Sequence, residues 1–411
     1  MNPFLEKPMN VDALFKDWSS IYPKPYNKDE VDPYTKTRII LMNGTEYEAV
    51  WFSHNFSRHC TNNDLRRELA ISRRSEQQQQ KVISVLKPIN ESILETTISY
   101  EQLAVDLTSR LAKREPNQHV KMALDFALLE DFDHLYRYSD LLEMERGIKA
   151  EQLVGHYTEI MPGRPTISEH RYPADNIRKC VDFGSADPIT KLNIAIITAA
   201  EQQTMNYYMN IAGFYDSDRG RSLYQEIGLI EEQHVSHYGS LLDTKATWLE
   251  GLLHHEYTEC YLYYSCYKDE TDPHIKKIWE QHFLEEVNHL HKAAELLKKY
   301  ENKEWQQVIP DGCFPELLTL GENKEYLRNI LANTVYLTSI KDDYPEVSKV
   351  PKEADFFKFQ NIVNHDVDQV PSHRVINDYI DQKGQDYRYE DKENPIEELR
   401  DRTKDNTSVG R

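Results

Sequence analysis

An internal repeat of 55 residues constrains this sequence more than any other feature. The segment AAEQQTMNYYMN around Glu201 recurs as HHEYTECYLYYS around Glu256. Likewise, EEQHVSHY at Glu231 recurs, one residue out of step, as EEVNHLHK at Glu286. In each copy, 30 residues separate the first Glu from the second. This spacing accommodates a helix, a short turn and an antiparallel helix that brings both side chains to one depth. The repeat therefore predicts helical hairpins.

The apolar pattern predicts six helices, which we interpret as three hairpins. The hairpins pair residues 91–114 with 117–146, 188–213 with 219–242, and 246–268 with 273–300. A long Pro-rich connection over 147–186 separates the first hairpin from the second. The third is punctuated by Asp272-Pro273, a good helix cap followed by a favoured first-turn proline.

The sequence patterns on either side of the predicted hairpins indicate less regular structure. Residues 38–52 place two apolar stretches around Asn43-Gly44, a dipeptide typical of tight β-hairpin turns. We therefore expect an irregular segment with a β-hairpin over 1–61, a helical bundle over 62–301, and loops, a short helix and an extended charged tail over 302–411. The expected fold class is mainly α, an antiparallel bundle of three helical hairpins.

Composition narrows the functional classes. The net charge of −20 comes from 49 Lys+Arg against 69 Asp+Glu, which argues against a nucleic-acid partner. No apolar run reaches the ~18 residues of a membrane helix, and the N-terminal residues lack a signal-peptide pattern. The five cysteines are scattered without a CxxC pair, as expected for reduced thiols. These features favour a cytoplasmic protein.

The pattern that carries chemistry is a carboxylate and an imidazole three residues apart on one helix face. It occurs twice, and each copy has a Glu 30 residues upstream and a Tyr seven residues after that Glu. The residues are Glu201, Tyr208, Glu231 and His234 in one copy and Glu256, Tyr263, Glu286 and His289 in the other. Four carboxylates and two imidazoles suit two divalent ions of intermediate hardness, such as iron or manganese.

This set resembles the ferritin-like di-iron carboxylate superfamily, in particular its rubrerythrin-like branch. The resemblance covers roughly residues 90–300 and implies a ferritin-like bundle around a dinuclear centre of iron or manganese. It also implies that the six Glu and His residues of the two copies are metal ligands. Glu259 resembles an additional carboxylate of that branch. Tyr208 and Tyr263 resemble tyrosines beside such centres, and they are our candidate catalytic residues. The absence of CxxC pairs excludes a rubredoxin module.

The first hairpin is a fainter copy with its own candidate ligands. Glu101 and Glu130 are 29 residues apart, and Asp133 stands where the pattern has His. His134 follows directly and can take that role. We therefore include Glu101, Glu130 and His134 among the candidate metal ligands.

Two criteria disagree on which hairpins form the centre. Motif similarity favours the second with the third. Connectivity favours the first with the second, because a bundle of two hairpins needs a long crossover and only 147–186 is long enough. We predict the latter pairing, with Glu201, Glu231 and His234 at one depth. The third hairpin is then an appended copy, in a second centre or against the first hairpin or a second subunit.

The expected function is redox chemistry on a small oxidant, O₂ or peroxide, of a peroxidase, catalase or ferroxidase type. The alternative is a non-catalytic ferritin-like scaffold or interaction protein with a degenerate site. Iron storage is a third and weaker possibility. We expect a homo-oligomer, a dimer, with neither nucleic-acid nor membrane partners.

Overall fold

The computed structural model describes residues 1–160 and 166–384. Within these ranges the regular structure is helical, with short 3₁₀ turns and two isolated β-bridges but no strand. The helices of the first half are α1 (Pro33–His59), α2 (Asn63–Ser84), α3 (Ile93–Arg114), α4 (Gln118–Arg146), α5 (Ala150–Leu153) and α6 (Pro188–Phe214). Those of the second half are α7 (Asp218–Gly239), α8 (Trp248–Asp269), α9 (Pro273–Glu301), α10 (Lys324–Thr334), α11 (Asp355–Val363) and α12 (Pro371–Lys383).

The predicted mainly α fold is confirmed, whereas the predicted N-terminal β-hairpin is wrong. Residues 38–52 lie inside α1, a helix of 27 residues. Its start is well specified, because the Asp32 side chain accepts a hydrogen bond from the Tyr34 N–H and Pro33 occupies the first turn. Asn43 and Gly44 sit within this helix, and Gly44 is buried. Tertiary packing of α1 thus overrides the local turn preference of Asn-Gly.

Two compact units divide the chain. Unit 1 consists of Met1–Glu91, Val181–Ala200 and Asp243–Leu320, and unit 2 of Ser92–Cys180, Glu201–Leu242 and Gly321–Arg411. The boundary falls within α6, so that Glu201 and the residues after it belong to unit 2.

Unit 1 is built from two helical hairpins, α1–α2 and α8–α9. Helix α1 contacts α8, and α2 contacts α9. Side-chain caps define the turns. Asn62 caps α2, and Asp272 caps α9 ahead of Pro273. Each such cap stabilises its helix by ~1 kcal/mol. The third predicted hairpin therefore pairs with a hairpin that the sequence pattern did not reveal.

Unit 2 combines α3–α4 with the second part of α6 and with α7. The Ser92–Glu95 capping box starts α3, Asn117 caps α4, and Gly147 ends α4 in the left-handed conformation at φ 66°. Helix α4 is in contact with α3 and α7. The predicted association of the first hairpin with the second is thus present in this unit.

The C-terminal region is more ordered than an extended tail. Helix α12 packs against α4 and α7, and it buries Val375, Ile376 and Tyr379. The expectation of an extended charged tail is therefore wrong for Pro371–Lys383. The rest of that tail, and the MPGRP part of the Pro-rich connection, lie outside the described residues. Among the described helices, none is both long and apolar enough to cross a membrane.

Candidate metal centres

Each of the four hairpins presents the same spacing of polar residues to its unit's interior. An acidic residue on the first helix is followed 30 residues later by a second acid, and three residues later by His or Gln. The four sets are Glu46, Glu76 and Gln79; Glu101, Asp131 and His134; Glu201, Glu231 and His234; and Glu256, Glu286 and His289. All twelve side chains are buried. The 30-residue register selects Asp131, and not Glu130, in the first predicted hairpin.

In unit 2, one group of potential ligands surrounds the Nδ1 atom of His234. Nδ1 lies 3.2 Å from Asp131 Oδ1, 3.2 Å from Glu231 Oε2 and 3.6 Å from Glu201 Oε2. One ligand atom from each of these four residues lies within 4.8 Å of the others. Two ligands that are each about 2.2 Å from one ion stand at most about 4.4 Å apart. The group therefore needs only small side-chain adjustments to coordinate one ion.

A second group in unit 2 consists of Glu101, His134 and Glu231, again within 4.8 Å of one another. His134 Nδ1 lies 2.9 Å from Glu231 Oε1 and 4.0 Å from Glu101 Oε2. Glu231 belongs to both groups, with one oxygen towards each imidazole. The two groups thus adjoin through one carboxylate, the arrangement that a pair of neighbouring ions requires.

Three carboxylates of the two unit 2 ligand groups are shielded from solvent and lack well-formed hydrogen bonds. Asp131, Glu201 and Glu231 are each at most 1% exposed. None of their side-chain oxygens has a hydrogen-bond partner within the described part of the chain. Desolvated carboxylates without partners are costly. Four inner carboxylates, these three and Glu101, carry the charge that would offset two divalent cations.

Electrostatics at this group favour a cation. Burial raises the pKa of Glu201 well above its ordinary value, and the charge of Asp131 raises it further. Burial would also raise the pKa of Glu231, but His234 and His134 outweigh it and lower that pKa. Burial opposes protonation of His234, yet Asp131 and Glu231 raise its pKa well above 6.5. The negative potential that holds a proton on the imidazole also favours a metal ion.

The outer nitrogen of His234 is held by a carboxylate. Its Nε2 donates a hydrogen bond of 2.7 Å to Glu130 Oε2, and the Arg171 guanidinium donates to the other Glu130 oxygen. With Nε2–H held in this way, Nδ1 would offer its lone pair to a metal ion that displaces the second proton. Such a carboxylate–histidine pair is the usual support of a metal-binding imidazole.

His134 has a parallel arrangement. Its Nε2 lies 3.7 Å from Glu169 Oε2, and Arg137 donates to both Glu169 oxygens at 2.9 and 2.8 Å. Burial would raise the pKa of Glu169, but Arg137 and His134 lower it to about 2. An ionised carboxylate therefore stands behind each imidazole of unit 2, and a buried arginine pairs with each carboxylate.

The two candidate tyrosines occupy equivalent places. Tyr208 donates a hydrogen bond of 2.5 Å to Glu101 Oε1, and Tyr263 donates to Glu46 Oε1. Both phenols are fully buried. Each therefore positions an acid from the other hairpin of its unit.

Unit 1 assembles the remaining candidate ligands. Glu76, Glu256 and His289 form one group, and Glu256, Glu259 and Glu286 form a second. His289 Nδ1 lies 3.2 Å from Glu286 Oε2 and 3.9 Å from Glu256 Oε2. Here Glu256 is the shared carboxylate.

The structure sorts the sequence-predicted ligands clearly. It brings Glu101, His134, Glu201, Glu231 and His234 together in unit 2, and Glu256, Glu286 and His289 in unit 1. Glu130 is not in either ligand group of unit 2; it supports His234 from outside. Sequence reasoning missed Asp131, Glu46 and Glu76, although the 30-residue spacing would have found all three. His237, the other histidine of α7, contacts the Tyr344 hydroxyl at 3.1 Å.

Comparison of the chain with protein families, with curated proteins and with solved structures found no match. The positions and contacts of the side chains are therefore the basis for proposing a function.

Proposed function

We propose that unit 2 is a dinuclear metal protein of the ferritin-like carboxylate type, which binds iron or manganese and performs redox chemistry on O₂ or peroxide. A single observation carries the proposal: two buried ligand groups share Glu231, and each contains an imidazole with a carboxylate behind it. The resemblance to rubrerythrin-like proteins agrees with this assignment.

The roles of the residues follow from their contacts. Glu101 and His134 would hold one ion, Asp131, Glu201 and His234 the other, and Glu231 both. When bound, such a pair of ions would supply the electrons for reduction of a small oxidant. Glu130 holds the proton of His234 on its outer nitrogen, and Tyr208 fixes Glu101. Glu169 lies 3.7 Å from the outer nitrogen of His134. Because the ligands are almost fully buried, only a small oxidant fits this chemistry.

Metal content tests the proposal directly. The full chain is stripped with chelator, reloaded anaerobically with Fe²⁺ or Mn²⁺, and analysed for metal per chain. Glu231→Gln removes the shared ligand charge and should release about two ions per chain. The matched control Glu232→Gln alters the exposed neighbour on the same helix and should release none. Equal metal content in wild type and Glu231→Gln would refute the site.

Redox chemistry needs a separate readout. The Fe²⁺-loaded protein is mixed with peroxide, and the remaining Fe²⁺ is measured with a colorimetric chelator. At equal protein and iron concentrations, we expect the loss of total Fe²⁺ to be at least tenfold slower with Glu231→Gln than with Glu232→Gln. Equal rates would contradict a reaction at this centre while leaving metal binding intact.

A non-catalytic scaffold is the second candidate function. Gln79 favours it, because this neutral side chain stands in unit 1 where unit 2 has His134, and it donates a hydrogen bond of 2.5 Å to Glu286 Oε1. A scaffold with a metal-free hydrogen-bond network predicts no metal uptake by either unit, so the same metal analysis separates the two functions.

A further inference from the structure

Unit 1 repeats the plan of unit 2 with three substitutions. At the 55-residue offset, Glu76 corresponds to Asp131, Gln79 to His134, and Glu259 to Thr204. The first of these exchanges keeps a carboxylate. Unit 1 therefore has one imidazole where unit 2 has two, and one more carboxylate. This exchange of a nitrogen ligand for an oxygen ligand changes which ions the site suits, because imidazole favours Fe, Zn and Cu while carboxylates favour Mn and Mg.

The two ligand groups of unit 1 are consequently unlike. The group of Glu76, Glu256 and His289 contains nitrogen and oxygen donors, whereas the group of Glu256, Glu259 and Glu286 contains oxygen alone. In each group, one ligand atom per residue lies within 4.8 Å of the others.

Glu259 is directed into its group without compensation. It is 1% exposed, and neither of its oxygens has a hydrogen-bond partner among residues 1–160 and 166–384. By contrast, Glu285 of the same unit forms an ion pair, with its carboxylate 2.6 Å from the Lys16 ammonium. A buried carboxylate with neither a cation nor a donor is expensive, and a metal ion would remove that cost.

Gln79 adds a further oxygen. Its Nε2 is engaged by Glu286, while its Oε1 is buried without a partner in the described parts of the chain. Amide oxygens are ligands for hard cations. No imidazole stands at this position to draw a softer ion.

We propose that unit 1 is a second metal centre with two unlike subsites, and that its all-carboxylate subsite of Glu256, Glu259 and Glu286 takes a hard divalent cation, Mn²⁺. The two units of one chain thus hold non-equivalent metals. These residues differ from those of the function proposed for unit 2, so the two proposals are tested separately.

The test uses full-length protein whose unit 2 is disabled by Glu231→Gln. The metal-free protein is titrated with Mn²⁺, and free Mn²⁺ is followed by electron paramagnetic resonance. We expect about two Mn²⁺ per chain. Adding Glu259→Gln should remove one or weaken it at least tenfold, whereas the control Glu280→Gln, on the exposed face of α9, should change nothing.

A selectivity swap provides the second arm. In the same background, Gln79→His supplies the missing imidazole and should favour Zn²⁺ over Mn²⁺ at least tenfold more than the parent does. Absence of bound Mn²⁺ in the Glu231→Gln protein, or no effect of Glu259→Gln, would overturn the proposal. If wild-type protein instead loses its metal in Glu256→Gln but not in Glu231→Gln, unit 1 is a site and the function proposed for unit 2 is wrong.

Discussion

Replacement of Glu201 by Gln should stabilise the metal-free protein and abolish its response to metal. Glu201 is 1% exposed, and neither of its oxygens has a hydrogen-bond partner in the described part of the chain. Its nearest charges include Asp131, which raises its pKa beyond the effect of burial. The amide has the same shape without the charge, so at a pH above this raised pKa the substitution relieves desolvation and repulsion together.

The magnitude follows from this burial. An unsatisfied buried polar group costs about 1–3 kcal/mol, and a charged one costs more. We expect the free energy of unfolding of the metal-free protein to rise by about 1–3 kcal/mol. In units of roughly 200 residues, each 1 kcal/mol shifts the melting temperature by about 2–4 °C. Metal at a hundredfold excess over Kd stabilises the unsubstituted site by about 2.7 kcal/mol, a gain that Glu201→Gln should lose.

The assay is thermal unfolding followed by circular dichroism, with chelator and with saturating Mn²⁺. Both proteins carry Glu256→Gln, which confines the metal response to unit 2. Glu232→Gln in the same background controls for a generic Glu-to-Gln effect. A lower melting temperature for Glu201→Gln in chelator would refute the argument from an uncompensated charge. An undiminished metal response would refute Glu201 as a ligand.

Three further outcomes test the surroundings of the centre. Glu130→Leu leaves the Arg171 guanidinium buried without its carboxylate, so denaturant unfolding should show a loss of about 3–5 kcal/mol of stability. Adding Arg171→Met should recover most of that loss. A double variant that is no more stable than Glu130→Leu alone would contradict the pairing. Tyr208→Phe removes the hydrogen bond that positions Glu101, so it should cost about 1.5–3 kcal/mol of stability and weaken metal binding. Unchanged stability and unchanged metal affinity would contradict its positioning role. Burial raises the pKa of Glu226, but the hydrogen bond and charge of His170 outweigh burial and lower that pKa below 4.5. The ionised carboxylate therefore stabilises the fold above pH 4.5, and this stabilisation is lost as the pH falls through the lowered pKa. Glu226→Gln should therefore be less stable at pH 7 and less sensitive to acid below pH 4.5, and parallel acid-unfolding curves would contradict this.

The helices around the centres were predictable because their apolar and acidic residues recur at helical spacing. Helix α1 was not, because Asn43-Gly44 is a strong local turn signal that only tertiary packing overrules. The 30-residue spacing of acidic residues would have identified α1 as a helix. Glu46 and Glu76 stand 30 residues apart, like Glu201 and Glu231, and mark a fourth hairpin with the same plan.

The choice between Glu130 and Asp131 shows a second limit. One residue is 100° of rotation on a helix, so the two acids point to different neighbours. Similarity to the Glu-x-x-His motif favoured Glu130, whereas the 30-residue spacing favours Asp131, which lies 3.2 Å from His234 Nδ1. Glu169 and Arg171 lie in an irregular connection whose sequence has no periodicity, so nothing in the pattern predicted their place behind the imidazoles.

The distribution of satisfied and unsatisfied acids gives the strongest physical reason to assign metal to this fold. Around the centres, acids that serve structure have cationic partners: Glu130 pairs with Arg171, Glu169 with Arg137, and Glu285 with Lys16. The acids of the unit 2 ligand groups face imidazoles instead. Glu231 lies 2.9 Å from His134 Nδ1, and Glu201 lies 3.6 Å from His234 Nδ1. A chain that can place arginine or lysine beside buried carboxylates has a ready means of neutralising them. Glu201 and Glu259 have no hydrogen bond at either oxygen within the residues the structure describes, and a divalent cation, as proposed above, would offset the cost of their burial.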